Sequence, residues 1–104
     1  MTTINITETL LSGNLGEGWG NPDEAADAYA EFLGAKYRET AERMFPGATI
    51  SVDIDVQYNA TGSVPNAIVT GDAGSLMMAG LEDLLANDGA WNEFLDSDAA
   101  RELT

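Results

Sequence analysis

Residues 48–58, ATISVDIDVQY, constrain the fold of this chain more than any other stretch. Ile50, Val52, Ile54, Val56 and Tyr58 alternate without a break with Thr49, Ser51, Asp53, Asp55 and Gln57. Side chains two apart share a strand face, so one face is wholly apolar and the other wholly polar. Such a strand covers a core on one side and meets water or a partner on the other. The rest of the chain has to supply what lies on the apolar face.

Two amphipathic helical segments flank the strand and can do so. Asn21-Pro22-Asp23-Glu24 reads as a helix start: Asn caps, Pro fits the first turn and the acids suit the positive end of the dipole. Apolar residues then recur at Ala26, Tyr29, Phe32, Leu33, Tyr37, Ala41, Met44 and Phe45, a period near 3.6. Pro46 and Gly47 end the helix at Phe45. Gly34, in mid-helix, costs about 1 kcal/mol against Ala and suggests close packing there. Tyr29, Phe32 and Tyr37 read as core. A second helix is expected over residues 73–86, with Met77, Met78, Leu81, Leu84 and Leu85 inward. A third carries Trp91, Phe94 and Leu95, with Asp88 as its cap and Asp96-Ser97-Asp98 as a point where it could break.

Residues 2–9 place Ile4 and Ile6 among threonines and read as a strand, while Leu10 and Leu11 fit a strand or a helical turn equally. After the alternating strand, Asn59-Ala60-Thr61-Gly62 supplies turn residues, and residues 64–70, VPNAIVT, return as a strand with Pro65 at its edge. The expected pairing is a hairpin. The order β-α-β-β-α-α describes a single α+β domain over residues 1–104, its small, mainly antiparallel sheet of about three strands covered on one face by helices. If the first two strands are neighbours, the helix between them makes a right-handed crossover. The other face would present Thr49, Ser51, Asp53, Asp55 and Gln57.

The residue inventory removes most chemistry. The chain has no cysteine and no histidine, so thiolate nucleophiles, Cys-type zinc sites and the usual base near neutral pH are missing. Residues 13–20, GNLGEGWG, lack the Lys-Ser/Thr of a P-loop and the GxGxxG spacing, and Glu17 would repel phosphate. Asp53 and Asp55 lie two apart on a solvent face, too close and too exposed for the acid/base pair of a glycosidase. No third and fourth metal ligand accompanies them. We expect no enzyme, no cofactor and no metal. With no apolar run near the roughly 20 residues of a membrane span and no basic start, a soluble cytoplasmic protein is expected.

What remains is charge. Eighteen Asp and Glu against four Lys and Arg leave a net charge of −14. Self-repulsion at that level costs stability and invites an explanation. Spread over a globule about 30 Å across, it amounts to roughly one charge per 2 Å, close to the axial density of duplex DNA. The chain should repel nucleic acid and acidic membranes and be drawn to basic protein surfaces.

Two acidic groups are candidates for such contacts. One is Asp23, Asp27 and Glu31, at i, i+4 spacing on the first helix, together with Asp53 and Asp55; the other is Glu82, Asp83, Asp88 and Glu93. Trp19 in its glycine-rich loop is either a lid on the core or a contact anchor. In its size, its −14 charge and its lack of catalytic groups, the whole chain resembles the small acidic inhibitors of phages and mobile elements, anti-CRISPR proteins and other DNA mimics among them. The resemblance implies stoichiometric blocking of a nucleic-acid-binding surface on a host nucleoprotein, carboxylates standing in for phosphates. The alternative is a non-catalytic structural or interaction module whose acidity serves solubility or adaptation to salt. A homodimer through Trp19, Met78 or the hairpin edge is open at this stage.

Overall fold

The strand with the least solvent exposure is the N-terminal one, β1 (Thr3–Leu11), whose Ile4 and Ile6 are wholly buried. In the computed structural model, which describes residues 2–16, 18–63, 67–72, 74–86 and 89–103, β1 lies between β2 (Thr49–Gln57) and β3 (Ile68–Gly71) in a three-stranded sheet of order β2-β1-β3. β1 and β2 run parallel from Thr3 opposite Thr49 to Leu11 opposite Gln57. β1 and β3 run antiparallel from Ile4 opposite Gly71 to Thr7 opposite Ile68. The α+β class expected from the sequence holds. The sheet is mixed instead of mainly antiparallel, and the alternating strand is one of its edges.

The expected β2–β3 hairpin does not form, and the reason is tertiary. The loop after β2 docks on a 3-10 turn, Ser12–Leu15, at the end of β1. Asn59 N–H donates to Ser12 Oγ at 2.9 Å, Gly13 N–H donates to the Ala60 carbonyl at 2.8 Å, and the Asn14 side chain exchanges two hydrogen bonds with the Gly62 backbone. These bonds carry the chain across the end of β1 to its far side. Residues 64–66, with the edge proline, lie outside the described residues.

Parallel neighbours need a long crossover, which α1 (Pro22–Met44) supplies. Asn21 Oδ1 accepts from the N–H groups of Asp23 and Glu24 at 3.1 and 3.2 Å, as the cap reading requires. Phe45 N–H closes the last turn on the Ala41 carbonyl, and Gly47 leaves it at a φ of 83°. Ala25, Ala26, Tyr29, Leu33, Tyr37 and Ala41 bury the inner stripe of α1 against the sheet and the C-terminal helices. α2 (Gly74–Leu85) contributes Met77 and Leu81 to the same core. The last segment divides into α3 (Gly89–Leu95) and α4 (Asp98–Leu103), with Ser97 as the joint: its hydroxyl donates to the Phe94 carbonyl at 2.5 Å and accepts from Ala100 N–H at 3.3 Å. Ala73 and Asp88, read as the start of one helix and the cap of the next, fall outside the described residues. Among the described residues no helix is long and apolar enough to cross a membrane.

Ile4, Ile6, Val52, Ile54 and Val69 face the helices, while Thr7, Ser51, Asp53, Asp55 and Thr70 stand exposed on the open face. Gly34 does not behave as the close-packing glycine suggested by the sequence. A Cβ there would lie 3.7 Å from Ile54 Cδ1 and 3.8 Å from Val52 Cγ1, ordinary contact. Gly34→Ala should therefore stabilise the protein by about 0.5–1 kcal/mol, through helix propensity and a less flexible unfolded chain. Urea denaturation checks this, and a loss of stability would mean that α1 sits closer to β2 than described.

Candidate functional site

α1 and β2 lie side by side and run in opposite directions, and three contacts set their alignment. Arg38 Nη1 donates to the Ile50 carbonyl at 3.2 Å, Gly34 lies over Val52 and Ile54, and the Tyr58 hydroxyl donates to Asp27 Oδ1 at 2.6 Å. The helix thus starts beside the end of β2 and passes its beginning four turns later. This alignment brings the two halves of the first acidic group together at Glu31 and Asp53. Glu31 and Asp53 line one shallow groove of about 520 Å³ together with Ala30, Gly34, Ala35 and Arg38. Asp55 follows on the same exposed strand face, its Oδ2 accepting from Gln57 Nε2 at 3.5 Å. Asp23 and Asp27 continue the row toward Tyr58, whose hydroxyl is held above its ordinary pKa first by the bond to Asp27 and, more weakly, by the charge of Asp23. Among the described residues Glu31, Asp53 and Asp55 form no ion pair.

The second group is not assembled. Glu93 Oε1 accepts from Lys36 Nζ at 2.6 Å, and that ammonium also lies 5.5 Å from the centre of the Phe32 ring, so this acid ties α3 to α1. Glu82 lines a small depression beside Ala67, while Asp83 lines another with Met44 and Leu76 on the opposite flank of α2. Asp88 lies outside the described residues. Trp19 folds back as a lid: its indole N–H donates to the Leu15 carbonyl at 3.2 Å, and its ring packs on Phe94 and Trp91 at 6.1 and 6.2 Å. Among the described residues no three acids are grouped to hold a metal ion.

One polar pair within the fold escaped the sequence reading. Tyr37, a core residue by its periodicity, donates its hydroxyl to Glu8 Oε1 at 2.6 Å beneath α1. A signal existed, since Glu8 shares the strand face of Ile4, Ile6 and Leu10. Burial raises the Glu8 carboxyl above its ordinary pKa, with the Tyr37 bond opposing; burial first, and then Glu8, raises the Tyr37 hydroxyl. A carboxyl raised in the folded state binds protons more tightly there than in the unfolded chain. Its contribution is fully present below the ordinary Glu pKa and is lost as pH rises through the raised one. Stability should therefore fall from mildly acidic to neutral pH, with less slope in Glu8→Gln, which keeps an acceptor for Tyr37. Urea midpoints measured across that range check it, and equal slopes would remove Glu8 as a cause.

No protein-family model, no curated protein and no solved structure matches this chain. The functional reading rests on geometry and charge.

Proposed function

We propose that this protein is a non-catalytic acidic binding protein that occupies a basic, nucleic-acid-binding surface of a partner, in the manner of a DNA mimic or an anti-CRISPR inhibitor. The observation that carries the reading is that Glu31 on α1 and Asp53 on β2 line one groove at the edge of the sheet, while Asp23 and Asp27 precede Glu31 on the helix and Asp55 follows Asp53 on the exposed strand face. Acids held in rows by two rigid elements that adjoin at Glu31 and Asp53 present a patterned field, where acids serving solubility alone need no fixed arrangement. Only Arg38 interrupts the groove, and its guanidinium is engaged with the Ile50 carbonyl. A duplex or an acidic membrane would be repelled by the same face.

The test is a pull-down with the tagged protein at about 0.1 M and about 0.5 M salt, between which the screening length falls from about 10 Å to roughly 4 Å. The wild type should capture a nucleic-acid-binding protein that DNA or RNA displaces and the higher salt weakens. The variant carrying Asp23→Lys, Glu31→Lys, Asp53→Lys and Asp55→Lys should lose it. Asp27 is left in place because it holds Tyr58. Capture unchanged by salt and by the four reversals would remove charge as the basis of binding. Nothing captured at either salt would return the acidity to solubility.

A further inference from the structure

The strand that carries Asp53 and Asp55 has an unused edge. β2 pairs with β1 along one side, and no described strand pairs with the other. Backbone N–H and C=O groups of successive strand residues point alternately to the two edges. Thr49 N–H donates to the Thr2 carbonyl, on the β1 side, whereas the Ile50 carbonyl meets Arg38 on the outer side. Val52, Ile54 and Val56 share the orientation of Ile50, so their backbone groups form the outer edge.

Proteins blunt such edges with short strands, charged side chains, proline or a bulge. β3, the opposite edge, is only four residues long. β2 has nine residues in continuous register, with no proline and no lysine; its charges are the two acids Asp53 and Asp55, which repel acidic strands and admit basic ones, and Arg38 meets its Ile50 end. Beside this edge lies the groove that Ala30 and Gly34 help to line.

We propose that β2 accepts an extended basic segment of a partner protein as an added strand. Alternate cationic side chains would lie beside Asp53 and Asp55 on the open face, and the intervening small apolar ones would enter the groove beside Ala30 and Gly34. The proposal rests on the acidic α1–β2 face argued above and adds the backbone as its means of recognition. Charge complementarity selects this occupant over a second copy. Antiparallel β2–β2 registers centred on Asp53, Ile54 or Asp55 set acid against acid, on chains that each carry −14.

The probe is a synthetic octapeptide alternating lysine and alanine, its binding to the intact protein followed by fluorescence anisotropy at low salt. Two further peptides carry N-methyl groups on one or the other alternate set of backbone amides, which keeps the charge and removes donors from one edge. The parent should bind, one methylated peptide should lose roughly tenfold or more, and the other should lose little. Val52 and Ile54 amides should gain hydrogen-exchange protection in the complex. Asp53→Lys with Asp55→Lys, both exposed and checked for fold by circular dichroism, should weaken binding by a similar factor.

If both methylated peptides bind like the parent while the two reversals abolish binding, the added strand is wrong and the acidic face stands. If the peptide binds but the reversals change nothing, both readings fall. Failure of the parent peptide to bind overturns the added strand, and the salt-dependent pull-down then judges the acidic face alone. A dimer of the free protein with Val52 and Ile54 amides already protected would place a second copy on the edge, and also overturns it.

Discussion

Phe94→Ala is expected to be among the most damaging single truncations in this protein, at about 3–5 kcal/mol. Phe94 is wholly buried, and four aromatic rings surround it: Tyr29 at 5.0 Å, Phe32 at 5.6 Å, Trp91 at 5.8 Å and Trp19 at 6.1 Å. Removing the ring forfeits its transfer energy and leaves a cavity whose rigid walls close poorly. The lid formed by Trp19 and the seat of α3 on α1 both depend on that ring. Domains of this size hold only about 5–15 kcal/mol in total, so the variant should stand near the limit of folding. Urea denaturation followed by tryptophan fluorescence and by far-UV circular dichroism measures the loss. A cost below about 1 kcal/mol would mean that the C-terminal helices are not integral to the core. The α1–β2 face makes none of these ring contacts, so folded variant should retain whatever partner the wild type binds.

The same aromatic cluster marks what sequence could and could not disclose. Periodicity placed Tyr29, Phe32, Trp91 and Phe94 on inward stripes of their own helices, and the stripes met. The Asn21-Pro22 cap, the Pro46-Gly47 stop and the break at Ser97 were legible because each is local chemistry between residues a turn apart. Strand pairing is not local. Alternation in residues 49–57 says which face is wet but nothing about which strand lies alongside, and Asn59 to Gly62 would suit a hairpin as well as a loop crossing the end of β1. The bonds that decide between them, Asn59 to Ser12 and Gly62 to Asn14, span 47 and 48 residues.

The candidate site divides in the same way. That Glu31 and Asp53 are acidic and on polar faces was legible; that they line one groove follows from the antiparallel course of α1 along β2. Glu93 looked equally free in sequence, and only the fold brings it to Lys36, 57 residues away. Glu8, by contrast, carried an unused signal in its place on an apolar strand face, and its partner Tyr37 could not be foreseen.

Gly71→Ala should destabilise the protein by about 3 kcal/mol or more, against the gain expected from the same substitution at Gly34. Gly71 closes β3 at a φ of 112°, a conformation that side-chain-bearing residues rarely adopt. A Cβ at this position would collide with the Thr3 carbonyl oxygen and press on Ile4 Cα, both backbone atoms of the central strand. Neither can yield without parting β3 from β1. The damage would spread, because Asp72 clasps the same residue twice: its N–H donates to the Thr3 carbonyl at 2.9 Å, and its Oδ2 accepts from Thr3 N–H at 2.8 Å. At Gly34 the new methyl meets only side-chain tips at ordinary distances, and the helix gains. Urea midpoints of the two variants should move in opposite directions from the wild type. A Gly71→Ala midpoint that does not fall would show that β3 tolerates a rearranged end at Gly71, and that the short strand is held to β1 less tightly than its register with Ile4 and Ile6 implies.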